Sequence, residues 1–333
     1  MKKLMNAPEA MPAEGLDGFA AAHADIVVLG PGRSFVRRRT LSPGKAALVS
    51  GGGSGHEPMH VGFVGQGMLD AACPGHVFTS PTPGQVAAAA QAVDTGAGCL
   101  FIVKNYEGDV MNFEMGREMA HEMSAGRVET LVVRDDVATE DAPDTTGRRG
   151  VAGTLIVEKC LGAAAEAGAG LGRLMELGGK VVSVTRTMGV ALTSCTVPAV
   201  GRPTFPLGEG EMEVGVGIHG EPGRRRAKLG TAQAITAEMV GTILRDLAPR
   251  RGAEVLLLVN GYGGTPPMEL YLVAGCATGL LRDAGLIAAR HLTGTYATSL
   301  DMAGCSISVT LLDDELRGLW DAPVRTAALR WGA

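Results

Sequence analysis

Ala46-Ala47-Leu48-Val49-Ser50-Gly51-Gly52-Gly53-Ser54-Gly55-His56-Glu57-Pro58-Met59-His60 passes from a short apolar run straight into a glycine loop. Residues 46–50 read as a strand. Glycines after a strand let backbone N–H groups face a ligand, and Pro58 suits the first turn of a following helix. The same alternation continues downstream. Residues 85–94 read as a helix, 99–103 as a buried strand, 115–124 as a helix and 130–133 as a strand. An Ala-rich helix follows over 151–167, continuing over 171–178. Near-continuous apolar strands alternating with helices indicate a parallel sheet covered on both faces. The predicted fold class is therefore α/β: a parallel-sheet N-terminal domain over 1–182 and a second, α+β domain over 183–320.

The character changes after Lys180. Residues 181–184 lead to Cys195-Thr196-Val197-Pro198 and a Gly/Pro-rich loop; 212–218 alternate as a strand, and 232–247 form an amphipathic helix. Residues 254–259 read as a strand, 267–284 as a helix and 306–312 as a strand, with antiparallel and mixed pairing expected. The tail over 321–333 should pack back on a domain surface.

Composition narrows the function. Of 333 residues 46% are hydrophobic, 20% charged and 4% aromatic, and 49 are glycine, about twice ordinary usage. A net charge of −5, with no aromatic stacking motif, argues against nucleic acid or an anionic membrane as partner. No apolar run approaches the roughly 20 residues of a membrane helix. The N-terminal Met1-Lys2-Lys3-Leu4 is not followed by the apolar core of a signal peptide. Six scattered cysteines without Cys-x-x-Cys read as buried hydrophobes in a reducing compartment, and a cytoplasmic location is expected.

Three segments could carry chemistry. In the first, a Walker loop fails because Gly55 is followed by His56, and the dinucleotide fingerprint fails at Pro58. His56-Glu57-Pro58-Met59-His60 matches H-E-x-x-H, but that motif needs a helix interior and Pro58 stands inside it, so no metal is expected. The bland reading is a tight turn with His56 capping a helix. The second segment, Lys104-Asn105-Tyr106-Glu107-Gly108-Asp109, follows a strand, where open α/β sheets bind ligands at the carboxyl ends. Lys104 and Asp109 then face one crevice, or else form a surface salt bridge. In the third, Gly215-Val216-Gly217-Ile218-His219-Gly220-Glu221-Pro222-Gly223, flanking glycines leave His219 accessible as base, nucleophile or ligand.

Taken together, residues 50–60, Phe-Thr-Ser-Pro-Thr-Pro at 78–83, Lys-Asn-Tyr-x-Gly-Asp at 104–109 and Gly-Arg-Arg-Gly-Val-Ala at 147–152 resemble the dihydroxyacetone kinase family. So do Cys-Thr-Val-Pro at 195–198, Gly-Ile-His-Gly-Glu-Pro-Gly at 217–223 and Thr-Ser-Leu-Asp-Met-Ala-Gly at 298–304. The likeness runs nearly end to end and covers the substrate-binding half of the family, whose nucleotide-binding half is fused or separate. It implies that His219 forms a covalent hemiaminal with the ketose carbonyl and that His56 and Asp109 are the acid/base pair. It further implies that Gly53, Ser54, Gly55, His56, Lys104 and Asp109 bind substrate.

The expected substrate is dihydroxyacetone or another short-chain ketose. This chain should bind no cofactor itself; a partner kinase subunit should hold ADP or ATP with Mg²⁺, in some systems recharged by a phosphotransferase-system protein. A homodimer is expected. Where the family often has two asparagines, this chain has Asn260-Gly261, and the stretch after Gly223 carries Arg224, Arg225, Arg226 and Lys228, read as a solvated basic surface or a docking point. The competing functions are a ketose-binding regulator without catalysis and a subunit of a tetrulose (erythrulose) kinase.

Overall fold

The computed structural model describes residues 2–123, 126–139 and 147–332. Met1, Ser124 at the end of one predicted helix, and Ala333 at the end of the tail lie outside them. The chain divides into two compact units, the first made of Met1–Val133, Thr154–Lys180 and Gly318–Ala333, the second of Arg134–Gly153 and Val181–Arg317. The sequence placed a single crossing near 182. Residues 134–153 instead belong with the second unit, where Val137 and Ala138 join its core.

The first unit opens with α1 (Met11–Ala22), β1 (Val27–Leu29), β2 (Val36–Arg38), β3 (Ala47–Ser54) and β4 (Ala71–Val77). Then come α2 (Pro83–Val93), β5 (Cys99–Lys104), α3 (Glu107–Glu122), β6 (Val128–Val133), α4 (Thr154–Glu166) and α5 (Leu171–Ser183). The sheet order is β1-β2-β4-β3-β5-β6. β3 pairs in parallel with both β4 and β5, and β5 with β6, while β1 and β2 add an antiparallel edge. β5 is buried at every position, as expected of a strand covered on both faces. α2 begins where Thr82 and Gln85 form a reciprocal capping box with Pro83 in the first turn. α4 is buried from Thr154 through Ala165. A Cβ on its Gly162 would strike the backbone of Gly67 and Met68, so only glycine lets the helix lie this close.

β4 lies on one side of β3 and β5 on the other, so the strand order reverses at β3. In open α/β sheets ligands bind beyond the carboxyl ends of the strands at such a switch point, here those of β3 and β5.

The second unit holds β7 (Thr185–Ala191), β8 (Glu211–Val214), β9 (Arg225–Lys228), α6 (Ala232–Leu247), β10 (Glu254–Gly261), α7 (Pro267–Asp283), β11 (Ile287–Gly294) and β12 (Gly304–Leu312), and the division at Gly318 falls within α8 (Asp314–Asp321). Its sheet runs β11-β10-β12-β7-β8-β9, parallel only between β10 and β11. The strand expected over 212–218 stops at Val214, because Gly215 at φ +79° turns the chain away. The tail packs within the first unit: the rings of Trp320 and Trp331 lie 5.4 Å apart, and Arg325 N–H donates to the Gln66 carbonyl. Among the described residues no helix is long and apolar enough to cross a membrane.

Candidate active site

The glycines of 51–53 are strand, not loop. They pair with Cys73, Pro74 and Gly75 of β4, and β3 ends at Ser54. Each is bare because something else occupies its Cβ position. At Gly52 that is the Lys104 ammonium; at Gly53 it is backbone, Thr79 N at 2.5 Å and Phe78 Cα at 2.7 Å. The helix expected at Pro58 does not form. Residues 56–60 make a turn, followed by one 3-10 turn over Val61–Phe63, so the H-E-x-x-H match lacks the helix it requires. His56 therefore caps no helix. Its buried ring stacks on Phe78, centroids 5.2 Å apart and planes 21° from parallel. Gly55, at φ +101°, donates its N–H to Glu57 Oε2 at 2.8 Å, and burial raises the Glu57 carboxyl. Ser54 donates to the Gly75 carbonyl.

Lys104 and Asp109 are no surface pair. Lys104 ends β5 and its side chain is fully buried; Asp109 lies in the first turn of α3 and is 2% exposed. Their charged atoms are 3.5 Å apart. Asp109 Oδ2 accepts no hydrogen bond among the described residues. Lys104 Nζ also reaches His60 Nε2 (3.0 Å) and the Gly51 carbonyl (3.3 Å). Behind these stand Ser50 and Glu158, neither singled out in the sequence. His60 Nδ1 lies 2.5 Å from Glu158 Oε1 and 3.1 Å from Ser50 Oγ. Burial pushes the Glu158 carboxyl up to about 8, against the opposing pull of Lys104, and drives His60 well below its ordinary value. The signal for Glu158 was available: Glu158-Lys159 interrupts an otherwise apolar helix, and charges so placed are buried with it.

In the second unit His219 is half-buried in the loop after β8. Its backbone N–H donates to Glu221 Oε2 (2.8 Å), and Glu221 Oε1 accepts from Arg149 Nη1 (3.0 Å). Arg149 further donates to Asp136 (2.8 Å) and to the Gly215 carbonyl (2.7 Å), so one guanidinium ties both ends of the loop. Burial lifts the Asp136 carboxyl to about 6 despite that guanidinium. A Cβ on Gly217 would fall on the Glu221 carboxylate; one on Gly220, at φ +74°, would meet Cys195 Sγ at 2.7 Å. Three separate sequence motifs thus converge on one histidine. The basic run after Gly223 is partly an edge strand, β9, in which Arg225 pairs with Glu238 and Arg226 with Glu213. Charged side chains suit a sheet edge. Asn260 is structural: its side chain bonds the backbone of Tyr296 and Ala297.

A parallel sheet with a buried cation, carboxylate and imidazole at its switch point, and a second unit presenting a pinned histidine, define the class. The Dak1 domain matches residues 17–328. The chain belongs to the Dak1 family, as the resemblance to dihydroxyacetone kinases implied. It is 50% identical over 315 residues to the PTS-dependent dihydroxyacetone kinase 1, dihydroxyacetone-binding subunit DhaK, of Listeria innocua, covering 95% of each chain. It is 41% identical to the D-erythrulose kinase of Mycolicibacterium smegmatis, matching 100% of this chain but 57% of that protein. Among solved structures, the dihydroxyacetone kinase operon co-activator Dha-DhaQ superposes with a TM-score of 0.89 at 32% identity, over 96% of this chain and 97% of that one.

Proposed function

We propose that this chain is the ketose-binding subunit of a dihydroxyacetone kinase, cytoplasmic and homodimeric, acting with a partner subunit that holds the nucleotide. The observation that carries the reading is the buried Lys104–Asp109 pair at the strand ends, where a cation can hold a hydroxyl oxygen while a carboxylate waits for its proton. Near-complete coverage of a ketose-binding subunit supports it.

His219 attacks the ketose carbonyl carbon. A C–N bond forms, the C=O π pair moves to oxygen, and His56 delivers the proton that oxygen needs, while the now cationic His219 ring releases its own N–H proton to water, leaving a neutral hemiaminal. The adduct fixes the terminal hydroxyl, which Lys104 orients and Asp109 deprotonates as its oxygen takes the phosphoryl group. ATP or ADP with Mg²⁺ on the partner would supply that group and neutralise its charge. Covalent selection explains discrimination: a polyol has the hydroxyls but no carbonyl.

The test is carbon NMR. Dihydroxyacetone labelled with ¹³C at the carbonyl should lose its ketone resonance on binding and gain one of a tetrahedral carbon. His219→Ala should abolish the change and bind ketone and glycerol with similar weakness. A bound ketose that stays trigonal removes His219 from this role. The likeness to an operon co-activator favours, as a second reading, a ketose sensor; phosphorylation of the ketose by the reconstituted pair decides against it.

A further inference from the structure

The hydrogen-bond inventory around Lys104 fixes more than the binding of a hydroxyl. Ser50 Oγ donates its one proton to the Ile102 carbonyl at 2.7 Å, so toward His60 Nδ1 it can only accept. An ammonium has no lone pair, so His60 Nε2, 3.0 Å from Lys104 Nζ, must accept. His60 is therefore a neutral imidazole protonated on Nδ1, and that N–H points at Glu158 Oε1, 2.5 Å away. His60 is 4% exposed and Glu158 fully buried, so water does not compete for either.

Lys104 thus has one N–H on His60 and one on the Gly51 carbonyl, leaving its third toward Asp109. The ammonium and carboxylate stand 3.5 Å apart, whereas an unrestrained pair closes to about 2.7–2.9 Å. A closed pair would fill the place of the ketose hydroxyl and damp the basicity of Asp109. We propose that His60, held in its Nδ1–H form by Glu158, is a positioning residue that tethers the Lys104 ammonium and keeps it from collapsing onto Asp109. This rests on the function proposed above. The charged and titratable groups facing the pair are His56 and His60 from the turn after β3, and Glu158 from α4.

The test uses the chain reconstituted with its nucleotide-binding partner, Mg-ATP and dihydroxyacetone. His60→Leu removes the acceptor. It should raise the KM for dihydroxyacetone at least about tenfold, the scale of a hydrogen bond to a charged group. It should also move the acid limb of the kcat profile to lower pH, because a closed ion pair stabilises the Asp109 carboxylate. His60→Gln, whose amide oxygen can stand where Nε2 does, should recover most of both effects. A folded His60→Leu protein with parental KM and acid limb overturns the proposal, as does a folded His60→Gln protein as impaired as His60→Leu. Should His60→Leu fail to fold, ¹⁵N NMR of the parent still decides: the imidazole must carry its proton on Nδ1 at neutral pH, and an Nε2–H signal refutes the tether. A parent that neither binds nor phosphorylates dihydroxyacetone fails the functional reading instead, which separates the two.

Discussion

Glu158 is a carboxyl group that folding forces to keep its proton. Burial lifts it from an ordinary 4.5 to about 8, with Lys104 pulling the other way. Between those values the unfolded chain has released a proton that the folded protein still holds, so stability falls as pH rises from about 4.5 to about 8 and levels off beyond. Glu158→Gln keeps an acceptor for His60 Nδ1–H but cannot ionise. Melting temperatures of both proteins across that window should show the variant gaining on the parent as pH rises, with no change in their difference at lower pH. A difference independent of pH would mean that Glu158 is ionised in the native protein. His56, Lys104, Asp109 and His219 stand out as candidates in the sequence because each lies in a polar stretch that carries glycine. His60 was legible only as half of a false zinc motif. Its real partner is 98 positions away, and no local pattern encodes a contact of that range.

At the scale of elements, the buried strands β3 and β5 and the amphipathic α6 were plain from apolar runs and helical spacing. Among the strands the sequence does not announce, β1 and β2 are three residues each, β9 is charged, and β11 lies at an edge with His291 facing water; the longer β4 is interrupted by Pro74 and Gly75, and β7 begins only after the apolar run 181–183 has ended α5. Such strands are held by their neighbours rather than by their own composition. The glycines at 51–53 read as a loop in sequence because low β propensity hides a strand whose bareness is forced by what packs on it. Gly53→Ala tests this. Its methyl would meet the backbone at Phe78 and Thr79, which cannot rotate aside, and should cost about 1–3 kcal/mol. It should also disturb the Phe78 ring under His56 and weaken ketose binding. Gly179→Ala, on an exposed position of α5 with nothing near the added carbon, serves as the control and should be neutral or slightly stabilising. Equal melting temperatures for the two variants would contradict the steric account.

For the whole molecule, the functional reading divides labour between two chains. The purified protein with ATP and Mg²⁺ should show no appreciable phosphorylation of dihydroxyacetone, and activity should appear when the nucleotide-binding partner is added. Robust turnover by this chain alone, free of contaminating kinase, would sink the division. The interleaving of the two units carries a consequence of another kind. The first unit needs Gly318–Ala333, whose Leu319 carbonyl accepts from the buried Lys159 and whose Trp331 ring lies under the same ammonium. During synthesis that last segment leaves the ribosome only after all of the second unit has been made. The unit that starts first therefore closes late, waiting with Lys159 uncovered until the residues that follow the second unit have been made.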